Sequence, residues 1–216
     1  MRTKILLADD HKIIRDGLCA LIEKEQTMEV VAEACEGRET VQKVKEFKPH
    51  IIIMDIGMPN LNGIEATRQI INDVPGVKII ALSLHSESSF VMKMLEWGAS
   101  GYLPKESAFK ELSTAIKAVL SGKTYLSPVI AGIVVDNAMR PSTQKASRTT
   151  AELTPREREV LQLLAEGRST KQVAAQLNVA VKTVETHRRQ IMKKLDIHSI
   201  AELTKWAVRE GITSLE

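Results

Sequence analysis

Asp9, Asp10, Asp55, Ser83 and Lys105 are the residues whose types together could do chemistry, and short apolar runs at 5–8, 51–54, 79–82 and 101–103 precede them. If those runs are strands of an open α/β sheet, the five side chains meet beyond the carboxyl ends, where such sheets bind ligands. Three carboxylates gathered there repel one another, and a hard cation with oxygen ligands, such as Mg²⁺, relieves the repulsion. Lys105 could then neutralise an incoming phosphoryl oxygen while the Ser83 hydroxyl donates a hydrogen bond to another. Asp55 would be the nucleophile. A single Asp after a strand is more often a turn residue or helix cap. Five polar residues at strand ends form a pattern that turns alone do not explain.

The elements needed to position them are legible. Apolar runs at 5–8, 30–34, 51–54, 79–82 and 101–103 are too short for helices and suit buried strands. Between them Ile13, Ile14, Leu18, Leu21 and Ile22 repeat at helical spacing, as do Val41, Val44 and Phe47, and Ile64, Thr67, Ile70 and Ile71. Val91, Met94 and Leu95, then Leu112, Ala115, Ile116 and Val119, complete a five-fold βα alternation. A doubly wound α/β domain is expected. After Gly122 one more short helix fits 128–138, and residues 139–152 are polar with no apolar face, as in a linker. From Leu153 onward the signals are only helical, at 155–166, 170–177, 181–195 and 199–210, with Thr154, Pro155 and Glu157 marking the first start.

At 216 residues the chain exceeds one domain of ordinary size. No run approaches the roughly 18 apolar residues of a membrane span, and acidic residues follow the N-terminal apolar positions too soon for a secretory signal. A soluble, cytoplasmic protein with no membrane partner is expected. Cys19 and Cys35 lack metal-type or redox-type spacing and suit reduced packing residues. The net charge of +3 has its positive excess wholly in residues 127–216, which permits nucleic-acid binding there.

In that tail Val173, Ala174 and Leu177 give one short helix an apolar face, Asn178 supports a tight turn, and Val181, Val184, Ile191 and Leu195 bury the next helix. The opposite face of this second helix carries Lys182, Thr183, Glu185, Thr186, Arg188, Arg189, Lys193 and Lys194. Cations there suit phosphates and short polar groups suit base edges. The plainer alternative is a solvated helix face.

LLADDH, IIIMDIGMPNLNG, IIALS and GYLPK, in that order and spacing, resemble the receiver domain of two-component response regulators across residues 1–126. The resemblance implies a flavodoxin-like (βα)₅ fold in which Asp10, Asp55 and the backbone carbonyl of Gly57 ligate Mg²⁺ or Mn²⁺, with Asp9 acting through water. It implies that Asp55 accepts phosphate from a sensor histidine kinase in a phosphorelay. It makes Ser83 the hydroxyl switch, Tyr102 the aromatic that turns inward on activation and Lys105 the phosphate-contacting cation. The chain departs from the pattern where Pro104 precedes Lys105 and Glu106 follows it, so the usual Lys-Pro peptide is absent. His11 and His85 suit polar loop residues better than metal ligands. Haloacid-dehalogenase-like phosphohydrolases share the Asp nucleophile, but their second acid is missing, because Ile56, Gly57 and Met58 follow Asp55. No turnover of an external substrate is expected.

LTPREREVLQLLAEGRSTKQVAAQL followed by NVAVKTVETHRRQIMKKLDI resembles the LuxR-type helix-turn-helix. By that resemblance Thr186, Arg189 and Glu185 sit where bases are read, and Lys171 and Lys182 face phosphates. Glu185 stands where many relatives carry Lys and could instead orient Arg189; Thr170 replaces a common Asn, which leaves the contact of that helix cap open. The combination resembles the NarL/FixJ family: a receiver over 1–126, a short helix and linker over 127–150, and a four-helix DNA-binding domain over 151–216. It implies transcription control in which Asp55 phosphorylation drives homodimerisation on a near-palindromic double-stranded DNA site, with RNA polymerase as a further partner. A regulator working through docking without phosphorylation is the alternative, and the complete acidic set argues against it.

Overall fold

Each of the five apolar runs forms a strand: four lie in the middle of the sheet, which is covered on both faces and suits continuous branched apolar sequence, and the run at 30–34 forms a partly buried strand at its edge. The five are β1 (Thr3–Ala8), β2 (Met28–Ala34), β3 (Ile51–Asp55), β4 (Lys78–Ser83) and β5 (Gly101–Pro104). A sixth, β6 (Tyr125–Leu126), pairs with β5 through Gly101↔Tyr125 and Tyr102↔Leu126. It was not expected, since two residues show no periodicity. This computed structural model describes residues 2–84, 87–139 and 153–213. The chain divides into two units, Met1–Met139 and Arg140–Glu216.

All pairings in the first unit are parallel, in the order β2-β1-β3-β4-β5-β6. Helices α1 (Lys12–Glu23), α2 (Gly37–Phe47), α3 (Gly63–Asp73), α4 (Ser88–Glu96) and α5 (Lys105–Leu120) follow the first five strands, and α6 (Pro128–Met139) follows β6. The period-two alternation of strand side chains sorts them into two cores. Leu6, Ile52, Met54, Ile79 and Tyr102 pack with Val44, Ile70, Val91 and Ile130 from α2, α3, α4 and α6. Ile5, Leu7, Ile51, Ile53, Ile80 and Leu103 pack with Leu18 and Ile22 of α1 and Leu112 and Ile116 of α5. The chain goes to opposite sides from β1, to β2 on one side and β3 on the other, so a crevice opens at their carboxyl ends.

Two packing expectations change, and the short helix expected over 128–138 is present with a packing that the sequence left open. Ile13 is 87% exposed, because the buried stripe of α1 runs through Leu18 and Ile22 and leaves its first turn uncovered. Cys35 is exposed rather than packed; its Sγ donates to Glu39 Oε2 at 3.3 Å. Helix α6 is docked on its own unit. Ile130 is fully buried, the Ser127 N–H donates to the Tyr102 carbonyl at 3.2 Å, and Asn137 Nδ2 donates to Ser88 Oγ at 2.6 Å. The polar stretch expected as a linker, from 140 to 152, lies outside the described residues, as does His85.

The second unit is helical: α7 (Pro155–Ala165), α8 (Thr170–Gln176), α9 (Val181–Leu195) and α10 (Ile200–Arg209). Thr154 caps α7 in a full capping box with Glu157, with Pro155 in the first turn. A second box caps α8, and its cap is Ser169, paired with Gln172. This moves the cap off Thr170, which is already helical. Asn178 takes φ 51° in the α8–α9 turn, a left-handed conformation that Asn tolerates. Val160, Leu163, Val173, Leu177, Val184, Ile191 and Leu203 form the core. Val181, expected inside, is 38% exposed because it occupies the first turn of α9, beyond that core. Among the described residues no helix is long and apolar enough to cross a membrane.

Candidate functional site

The register of the sheet brings the acidic residues together. Ala8 pairs with Met54, Asp55 with Leu82 and Ser83 with Pro104, so the carboxyl ends of β1, β3, β4 and β5 finish side by side. Gly63 permits the close turn after β3: a Cβ there would lie 2.0 Å from the Asp55 backbone oxygen. Ligand atoms of Asp9, Asp10, Asp55 and His11 all lie within 4.8 Å of one another. Asp9 is 2% exposed and Asp55 3%. Lys105, first residue of α5, reaches into this cluster with its Nζ 2.7 Å from both Asp9 Oδ2 and Asp55 Oδ2.

One buried ammonium does not neutralise three carboxylates. Burial and the Asp9 charge raise the Asp55 pKa to about 6, against the pull of Lys105 and of the Gly57 N–H, which donates to Asp55 Oδ1 at 3.1 Å. Burial works against the Lys105 charge, but Asp55 and Asp9 outweigh it and raise the Lys105 pKa above its ordinary value. The donor set is hard oxygen with surplus negative charge, which fits a hard divalent cation. The Gly57 amide is committed to Asp55, while Gly57 itself is exposed at the rim.

Ser83 is 2% exposed, and its hydroxyl is hydrogen-bonded to that of Tyr102. Tyr102 is fully buried, and burial pushes its pKa up to about 12. The ring that was expected to turn inward on activation is already inward in this structure.

Two contributors were set aside or missed in the sequence. His11 Nδ1 lies 2.8 Å from Asp10 Oδ1 and 3.3 Å from Asp9 Oδ1, so it belongs to the cluster although half of its side chain is exposed. Its adjacency to Asp10 was the only signal. Arg15 Nη1 donates to the Asp9 carbonyl at 2.6 Å, one helical turn along α1 from His11, and nothing in the sequence marked it.

In the second unit Lys171, Lys182, Thr183, Glu185, Thr186, Arg189 and Lys193 are exposed, and Arg188 is partly buried. Lys182, Thr186, Arg189 and Lys193 cover the face of α9 opposite Val184 and Ile191, and Glu185 and Thr183 flank it. Arg188 lies one turn beyond Val184 beside the buried line, and Lys171 stands at the start of α8. The Thr186 hydroxyl donates to the Lys182 carbonyl at 2.9 Å. Among the described residues no ion pair joins Glu185 to Arg189. Lys194, grouped with the outward cations above, instead reaches Glu157 Oε2 at 2.7 Å.

Comparisons with known proteins agree with both halves. The chain matches the family model described as "Response regulator receiver domain" over residues 5–117 and that described as "Bacterial regulatory proteins, luxR family" over residues 151–207. It is 37% identical to the oxygen regulatory protein NreC of Staphylococcus aureus over 213 residues, 97% of this chain and 98% of the relative. A LuxR-family two-component response regulator from Aurantimonas superposes with a TM-score of 0.62 at 38% identity, covering 65% of this chain and 100% of that one. RcsB of Salmonella enterica serovar Typhimurium, bound to a promoter in the presence of a phosphomimetic, shares the fold with a TM-score of 0.60 at 24% identity, covering 99% of this chain and 100% of its own. The acidic crevice and the cationic helix thus lie in a chain that belongs to the two-component response regulators joining a receiver domain to a LuxR-type DNA-binding domain.

Proposed function

We propose that this regulator takes a phosphoryl group on Asp55 from a sensor histidine kinase and, once phosphorylated, binds a near-palindromic DNA site as a homodimer to control transcription. The observation that carries the reading is Lys105 Nζ at 2.7 Å from Asp55 Oδ2 inside a crevice that also holds Asp9 and Asp10. A carboxylate oxygen of Asp55 forms the new O–P bond as the N–P bond of a phosphohistidine breaks, and the electron pair leaves with the imidazole. Asp10, Asp55 and the Gly57 carbonyl, with Asp9 alongside, would hold Mg²⁺ or Mn²⁺, and that cation would supply charge to offset the phosphoryl oxygens. Lys105 moves its charge from the bare carboxylate to a phosphoryl oxygen, and Ser83 donates to another. Gly57 stands two residues after Asp55, where phosphohydrolases of the haloacid-dehalogenase type carry their second acid, which supports self-phosphorylation over turnover of an external substrate.

In the second unit we assign Arg189, Thr186 and Glu185 to base edges, and Lys171, Lys182, Thr183, Arg188 and Lys193 to the backbone. One α9 reaches few bases, so specificity calls for two tails on half-sites whose centres lie about 10 bp apart. Incubation with a small phosphodonor and Mg²⁺, followed by intact mass measurement and DNA binding, tests this. Wild type gains one phosphoryl group and binds a selected duplex more tightly as a dimer, and Asp55→Asn does neither. Phosphate on Asp55→Asn, or equal affinity with and without phosphate, contradicts the reading.

A further inference from the structure

The first turn of α7 grips both helices behind the cationic face. Arg156 Nη2 donates to the Leu177 carbonyl at the end of α8, at 3.0 Å. Next to it, Glu157 is 3% exposed, and its Oε2 accepts from the Thr154 N–H at 2.7 Å and from Lys194 Nζ of α9 at 2.7 Å. A carboxylate withdrawn from water is costly unless paired, so Lys194 is tied to this spot.

Helix α9 needs such a tie. Of its 15 residues only Val184 and Ile191 have buried side chains. Anchors seven residues apart lie nearly on one line along a helix surface, so they fix the axis and only weakly the roll about it. Lys194 stands about 60° round the helix from Ile191 and adds a point off that line. Arg189 stands about 140° from Lys194 and about 7.5 Å along the axis, facing outward. A roll of about 20° carries an atom ~6 Å from the axis through about 2 Å. That exceeds the few tenths of an ångström over which a hydrogen bond keeps its strength.

We infer that Glu157 and Lys194 are positioning residues for sequence readout: their ion pair sets the roll of α9 and so the aim of Arg189, Thr186 and Glu185. The inference rests on the reading of α9 as the base-contacting helix. Lys194 is itself a cation in the last turn of α9, and a direct phosphate contact is the rival role.

The experiment uses the phosphorylated full chain, the duplex that wild type selects from a random pool, and a scrambled duplex, each across a range of salt. Lys194→Met and the charge-free pair Glu157→Gln/Lys194→Met weaken binding to the selected duplex about ten-fold and to the scrambled one less than two-fold. The salt slope is unchanged and Lys194→Arg restores most of the preference. The double variant leaves no lone buried charge, and its melting point verifies folding. Equal losses on both duplexes with a salt slope flatter by about 0.9 make Lys194 a phosphate contact and overturn the proposal. Unchanged preference in the folded double variant overturns it too. Arg189→Ala, measured alongside, loses preference; if it does not, the reading of α9 itself has failed, and the proposal with it.

Discussion

Lys105 Nζ lies 2.7 Å from both Asp9 Oδ2 and Asp55 Oδ2, donating a hydrogen bond to Asp55, and only 6% of Lys105 is exposed. The lysine is therefore the buried counter-charge of Asp9 and Asp55. Lys105→Met leaves them uncompensated and costs about 3–5 kcal/mol in urea unfolding. Added Mg²⁺ recovers more stability in the variant than in wild type, because it then supplies the missing charge. Equal Mg²⁺ shifts in the two proteins would sink this account.

Two glycines beside Asp55 differ sharply. A Cβ at Gly63 would lie 2.0 Å from the Asp55 backbone oxygen, whereas at Gly57 the nearest atom, Asp55 Oδ1, is 3.9 Å away. Gly63→Ala therefore displaces the end of β3, destabilises by about 3 kcal/mol and slows phosphorylation, while Gly57→Ala changes stability by less than about 1 kcal/mol. Denaturant midpoints and phosphorylation rates separate the two. Similar losses in both would show that the turn is softer than its packing implies.

Arg189 and Lys182 lie on the same exposed face of α9 and are assigned different jobs. Arg189→Ala costs about 1–3 kcal/mol on the selected site and relaxes base preference, while Lys182→Ala weakens all duplexes alike and flattens the salt slope by about one. Binding isotherms on selected and scrambled duplexes at several salt concentrations decide the matter. A loss independent of sequence at Arg189 would remove it from base readout.

Glu157 carries a pH signature. Burial pushes its pKa up, but Lys194 and Thr154 outweigh that and hold it below the usual carboxylate range. A folded-state pKa below the unfolded one means that the group's stabilisation is complete above the ordinary glutamate range and is lost as pH falls through the depressed value. Protection of α7 and α9 amides from exchange in wild type thus exceeds that in Glu157→Gln at neutral pH, and the gap closes as acid is added. A gap that is constant with pH would show that the charge on Glu157 contributes nothing.

The strands and helices were legible because burial writes its period into the chain. The run Ile51–Met54 and the stripe through Leu18 and Ile22 needed no tertiary information. The two-residue β6 escaped because pairing with β5 creates it, not any pattern of its own. Ile13 and Val181 misled for a related reason: periodicity identifies a stripe but not how far the neighbouring element extends over it.

By itself the sequence determined which residues could do chemistry, since type and strand-end placement are local properties: Asp9, Asp10, Asp55, Ser83 and Lys105 needed only the rule that such ends converge. Only the tertiary structure decided how their charges are shared. That Lys105 sits between Asp9 and Asp55, that His11 joins the cluster, that Tyr102 is inward and that Lys194 turns to Glu157 are all contacts between residues on different elements or at their ends. Such contacts depend on strand register, helix roll and rotamer, which the folded core fixes through packing many residues at once, and no short stretch of sequence encodes them.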